Sequence, residues 1–195
     1  IAQFYLGVCY HYGYGVEVNY ENAVRYYALS ANNGYIDGEC NLGACYIYGI
    51  GVEKNFQQGL MWLNKAAEKN SAQANVWLGE CYEQGWGVQK NESIAFTYFQ
   101  KAAEKKHPTA CYRMGYYYGT GTVVGKDSRK AFDYTLIAAE AGDVEAMNVI
   151  GNHYRSGEGV EKNEDKANAW ILKAAELGHP DAMLSMASYY YYGLL

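Results

Sequence analysis

Residues Leu6 to Ala31 read LGVCYHYGYGVEVNYENAVRYYALSA, and the pattern returns every 36 residues to the end of the chain without an insertion. Aligned on that period, one column holds Leu6, Leu42, Leu78, Met114, Ile150 and Met186, followed by Gly7, Gly43, Gly79, Gly115, Gly151 and then Ala187. An unbroken tyrosine column comes next (Tyr10, Tyr46, Tyr82, Tyr118, Tyr154, Tyr190), then an unbroken glycine (Gly13, Gly49, Gly85, Gly121, Gly157, Gly193). A second glycine follows two residues on at Gly15, Gly51, Gly87 and Gly159, replaced in the fourth repeat by Val123. A valine column and then Asn19, Asn55, Asn91, Asp127 and Asn163 complete the set. Self-similarity at a fixed period of this length is the signature of a stacked repeat architecture.

Each column has a mechanical reading. Ala2, Leu6 and Tyr10 stand four apart, one face of a first helix, helix A. The tyrosine column reads as a core position. Glycine ends helix A because the residue past a helix C-terminus often takes positive φ. The Asn/Asp column is placed to accept the free N–H groups at the start of a second helix, helix B. Ala23, Tyr26, Tyr27, Ser30 and Ala31 form one face of helix B. Its later counterparts pair Trp62, Tyr98, Tyr134 and Trp170 with Ala66-Ala67, Ala102-Ala103, Ala138-Ala139 and Ala174-Ala175. Large rings facing small residues suit close helix packing. The Gly7 column lies about 100° round helix A from the leucines, where a missing side chain admits a neighbouring helix.

The columns therefore predict an all-α chain of stacked helical hairpins with six A helices and five B helices. The units run approximately 1–36, 37–72, 73–108, 109–144 and 145–180, with a partial 181–195. The chain starts inside a helix A and stops just past the sixth, so the single array 1–195 is expected to be a segment of a longer protein. The pattern A-x-x-x-L-G-x-x-Y-x-x-G-x-G-V-x-x-N-x-x-x-A, sharpest at Leu78 to Ala103 (LGECYEQGWGVQKNESIAFTYFQKAA), resembles the Sel-one-like repeat family, relatives of the tetratricopeptide repeats. The resemblance covers essentially the whole chain. It departs at Gly121-Thr122-Val123-Val124-Gly125, which leaves the geometry of that turn open. It implies a right-handed α-solenoid of antiparallel helix pairs that holds or recruits other proteins.

Composition narrows the function classes. Half of the residues are apolar and two are proline, as a packed helical protein requires. No apolar run approaches the roughly 18–20 residues of a membrane span. Net charge is −5 with no basic stripe, which argues against a nucleic-acid partner. Cys9, Cys45 and Cys81 share a column. Equivalent positions one repeat apart are separated by roughly 10 Å, too far for a disulfide or a shared metal. Cys40 and Cys111 are isolated in their columns. All five read as small buried side chains, which favours a reducing compartment such as the cytoplasm.

No nucleophile, phosphate or metal motif stands in the chain, and no cofactor is expected. G-x-G-V recurs as a helix-to-helix connector, whereas a dinucleotide site needs it once, after a strand. His107 and His179 occupy one repeat position in His-Pro pairs between helices, a linker role, with proline in the first helical turn. His153 reads as a core or boundary residue. The chain reads as a non-enzyme.

Function is expected where repeats differ. Opposite the leucine face of helix A lie the columns of Phe4, Val8 and His11, flanked by those of Tyr5 and Tyr12. The family resemblance places helix A on the concave side, making this face the groove. Its partner-binding candidates are Phe4, Tyr5, Val8, His11, Tyr12, Ile47, Tyr48, Trp77, Glu80, Glu83, Tyr112, Tyr116, Asn148, Asn152 and Arg155. The groove reading offers a peptide or protein partner apolar anchors in the first repeats and a basic contact at Glu80 and Glu83. The competing reading makes Phe4, Cys40 and Val76 inward packing. A further alternative is a structural spacer or a self-associating module, with the aromatic terminus Tyr189 to Tyr192 and Gly193-Leu194-Leu195 as the contact.

Overall fold

Asparagine or aspartate starts every B helix and glycine ends every A helix between them. Each Asn19-column side chain accepts an N–H from three residues on: Asn22, Gln58, Ile94, Lys130 and Lys166 donate at 2.9–3.0 Å. Gly13, Gly49, Gly85, Gly121 and Gly157 each cap a helix A in the left-handed region, with φ of 74–77°. A further bond closes every turn: the N–H of the capping Asn or Asp donates to the carbonyl of the column tyrosine, as from Asn19 to Tyr10 at 2.9 Å and from Asp127 to Tyr118 at 2.9 Å. The fourth turn keeps this frame without the second glycine.

The computed structural model describes residues 1–192, apart from the side chains of Tyr190 and Tyr192. Among them stand eleven helices and no strand: α1 (Ala2–Tyr12), α2 (Tyr20–Asn32), α3 (Ile36–Tyr48), α4 (Phe56–Glu68), α5 (Ala72–Gln84), α6 (Glu92–Ala103), α7 (Pro108–Thr120), α8 (Ser128–Glu140), α9 (Val144–Ser156), α10 (Glu164–Glu176) and α11 (Pro180–Tyr192). Odd-numbered helices are the six A helices and even-numbered ones the five B helices. The chain divides into two units, Ile1–Lys101 and Ala102–Leu195. In the expected aromatic terminus, the side chains of Tyr190 and Tyr192 and all of Gly193 to Leu195 lie outside the described residues.

In the first unit each helix packs on the next from α1 through α5. Leu42 and Cys45 of α3 bury against Ala23, Tyr27 and Ala31 of α2. One step along, Ile47, Leu63, Leu78 and Cys81 form the second core. The leucine column thus packs on the preceding B helix. Leu6, in α1, is exposed. In the second unit α7 to α11 pack successively in the same way, and Met114, Met147, Ile150 and Ile171 are fully buried.

The glycine column works by close approach within each pair. A Cβ on Gly7 would lie 2.6 Å from the Tyr27 ring, one on Gly43 2.8 Å from Leu63, and one on Gly79 2.8 Å from Phe99. Tyr27, Leu63 and Phe99 are themselves one column, joined by Thr135 and Ile171, so one column of helix B side chains fills each gap.

The tyrosine column lies at the core's edge. Tyr10, Tyr46, Tyr82 and Tyr118 are half-buried. Tyr10 stacks on Tyr26, Tyr82 on Tyr98 and Tyr118 on Tyr134, with centroids 5.6–5.8 Å apart and planes within 16°. Lys101 covers Tyr98 from the far side at 5.4 Å, as Lys65 covers Trp62 at 4.8 Å. The phenol oxygens thereby stay near water while the rings bury. All five cysteines are free thiols. Burial pushes Cys45 and Cys81 up to about 12, and Cys40 and Cys111 up to about 11, so these four are protonated at neutral pH.

Candidate interaction face

The open stripe of the A helices is rotated from the one the sequence predicts. Over the first five repeats the Phe4 column turns inward, whereas Leu184 of the sixth is exposed: Cys40 and Val76 are buried at 1–2% exposure, Asn148 at 8%, and Phe4 and Tyr112 are half-buried. For Cys40 and Val76 the inward-packing reading holds. Cys40 nests with Ala66 and Ala74, its sulfur 3.2 Å from the Ser71 hydroxyl. The Tyr12 column faces outward instead. Tyr12, Tyr48, Gln84, Thr120 and Ser156 are all exposed. Columns 5, 8 and 12 are separated by three and four residues and make one stripe of a helix.

Ile47 is a correction. It is 1% exposed and packs with Leu63 and Leu78, so it is core and not groove. The Gly59 backbone explains this: the Ile47 side chain occupies the space where a Cβ on Gly59 would stand, 2.6 Å away. Asn148 likewise lies inside. Val8 is half-buried against the first core and Trp77 against the second.

In the first unit the stripe brings together Tyr5, Tyr12, Tyr48, Trp77 and Glu80. Tyr48 touches Trp77 edge-on at 5.4 Å and Trp86 at 5.5 Å, and its hydroxyl donates to the Glu80 carboxylate at 3.4 Å. Burial and the Glu80 charge both push the Tyr48 phenol up, so it remains a donor. His11 is half-buried against Tyr12, Tyr20 and Tyr27, and burial lowers its pKa, leaving it neutral at pH 7. Glu83 is half-buried one turn beyond Glu80.

In the second unit, Tyr112, Tyr116, Thr135, Val149 and His153 line a cleft of about 250 Å³. Lys126 and Glu158 pair at its rim at 2.9 Å. Tyr116 and Asn152 are exposed. Arg155 lies over the Tyr189 ring at 5.0 Å. His153, expected at a core boundary, is half-buried, with Nδ1 2.7 Å from the Glu158 carbonyl oxygen.

Two features escaped the sequence reading. Glu39 is fully buried and binds Lys69 through both oxygens at 2.7 and 2.9 Å, with Lys65 at 3.4 Å. The aligned position is Gln3 in the first repeat and Asn75 in the third but Cys111, Met147 and Met183 later, so polar residues in the first three repeats are the available signal. His179 caps α11: its Nδ1 accepts from Ala182 N–H at 3.3 Å and its Nε2 meets Glu145 at 3.0 Å. The linker histidine is therefore also a helix cap.

Six consecutive Sel1 repeats match the chain, at residues 1–35, 36–71, 72–107, 108–143, 144–179 and 180–195. The chain belongs to the Sel1 repeat family. A Sel1 repeat protein from Oxalobacter formigenes is 32% identical over 96% of this chain and 77% of its own, with a TM-score of 0.88. A protective antigen of uropathogenic Escherichia coli strains, which displays the same repeat fold, is 27% identical over 99% of this chain and 41% of its own, with a TM-score of 0.84. The chain thus spans less than half of that antigen. Cysteine rich protein B of Helicobacter pylori is 31% identical over 67% of this chain and 93% of its own, with a TM-score of 0.52. No curated protein matches the chain. The fold of this Sel1 array is an α-solenoid, and proteins of the family are generally non-catalytic protein-interaction scaffolds. No helix among the described residues is long and apolar enough to cross a membrane.

Proposed function

We propose that this chain is a non-catalytic adaptor that takes a protein or peptide partner on its helix-A face. The observation that carries the reading is the run of exposed aromatic side chains along the open stripe. Tyr5, Tyr12 and Tyr48 are 57%, 61% and 39% exposed in the first unit, and Tyr116 is 51% exposed in the second. Rigid rings on a polar face, with carboxylate and amide neighbours, have the composition of interface anchors. Glu80 and Glu83 in the first unit suit a basic partner segment, and Asn152 and Arg155 in the second supply hydrogen-bond donors. The net charge of −5 favours protein over nucleic acid as the partner. Partner capture by the wild type, compared with variants of the helix-A stripe and of the outer B-helix surface, tests the reading. Loss confined to the stripe variants is expected, and equal capture by all of them contradicts it.

A further inference from the structure

Where the first three A helices of the first unit come together lies a pocket of about 160 Å³. Five of its lining residues are aromatic: His11, Tyr12, Tyr27, Tyr48 and Trp77. They come from four helices, α1, α2, α3 and α5, so the pocket exists only when successive repeats are stacked. Tyr27 is buried and packs with Cys45 beneath the pocket, whereas Tyr12 and Tyr48 are exposed beside its mouth. No lysine or arginine lines it. A fixed negative charge stands beside this wall: the Glu80 carboxylate accepts from the hydroxyl of the lining Tyr48 at 3.4 Å. The Nδ1 of His11 is shielded from solvent and has no hydrogen-bond partner in the structure.

Aromatic rings attract a cation through the quadrupoles of their faces, most strongly when the cation is desolvated. A carboxylate at the edge adds a Coulomb attraction of the same sign. The volume is too small for a drug-sized ligand, which needs roughly 300 Å³ or more, yet it admits an ammonium or guanidinium head on an extended stem. We propose that this pocket is an aromatic cage for a single cationic side chain, a lysine or arginine of the partner segment. The proposal rests on the helix-A reading and names the chemistry of one contact within it. His11, being neutral, leaves the pocket free of competing positive charge.

The probes are N-acetyl-trimethyllysine amide, N-acetyl-arginine amide and a neutral isostere of the first with a tert-butyl group in place of trimethylammonium. Binding to the whole chain is followed by amide and indole chemical shifts. The cations should shift the Trp77 indole signal and bind about three- to ten-fold more tightly than the neutral isostere. Tyr12→Leu and Tyr48→Leu change exposed side chains outside the core, and each should weaken the cations about three-fold or more. Glu80→Gln should weaken the cations and leave the isostere unchanged. Equal affinity for cation and isostere overturns the proposal, as does the absence of any shift at Trp77 at the highest soluble probe concentration. If the cations fail to bind while stripe variants of the second unit still lose partners, the cage is wrong and the helix-A reading stands. If the cations bind and the stripe variants lose no partner, the pocket takes a cation but not from a partner held on the helix-A face, and both the helix-A reading and this assignment of the occupant fall.

Discussion

At the residue scale, glycine has two separate roles in the inter-helix turn, and they carry different costs. Gly15 and Gly159 share a column and a φ of 74°. An added Cβ at Gly15 meets open space, whereas at Gly159 it would overlap the Ser128 carbonyl. Gly15→Ala should therefore cost about 1–2 kcal/mol, the strain of a left-handed L-residue. Gly159→Ala should cost clearly more, because backbone atoms must move. Urea unfolding of the two variants checks the difference, and equal losses would show that the turn of the fifth repeat does not rest on α8. The second glycine is thus there for contact as well as conformation. The sequence showed the column, but only packing shows that its first member is unconstrained.

At the element scale, the helices and their ends were legible because each rests on local chemistry. A capping Asn, a left-handed glycine and a spacing of four each predict one feature within a turn of helix, and all five turns obey them, including the fourth with its displaced glycine. What was not legible depends on neighbouring pairs. Helical periodicity alone presents the opposite face of helix A as a single arc, but the flanking helices cover part of it, so Cys40, Ile47 and Asn148 lie inside and the open stripe moves to columns 5, 8 and 12. The same holds for Glu39, whose burial follows from α4 supplying Lys69 and Lys65. A fully buried carboxylate stranded without its partner is expensive, whereas replacing both partners by apolar groups is nearly neutral. Lys69→Met should accordingly destabilise the first unit by about 3 kcal/mol. Glu39→Met in the same chain should recover most of that. An unchanged unfolding midpoint for Lys69→Met would mean that Lys65 suffices.

At the scale of the whole molecule, two kinds of statement separate. Stability follows from the buried groups. Burial lowers the pKa of both His11 and His107 below the ordinary imidazole value of 6.5. The unfolded chain therefore takes up these protons at higher pH than the folded chain, so stability present above about pH 6.5 is lost as pH falls below it. Unfolding midpoints should drop between about pH 7 and pH 5. The drop should shrink in His107→Gln, and a midpoint flat across that range would contradict the assignment. Function follows from what the repeats do not share. The columns that agree build the solenoid. The exposed tyrosines, acids and amides that differ give each unit a face of its own. The most direct test of that claim is quantitative partner capture by the intact chain, with folding confirmed by circular dichroism. Tyr5→Ala, Tyr116→Ala and Asn152→Arg together change the open stripe, and Met61→Lys with Leu172→Lys change the exposed B-helix surface as the control. Binding through the helix-A face predicts a loss of roughly ten-fold or more in the first variant and none in the control. Capture that survives the first variant and fails in the control would place the partner on the B helices and contradict the account.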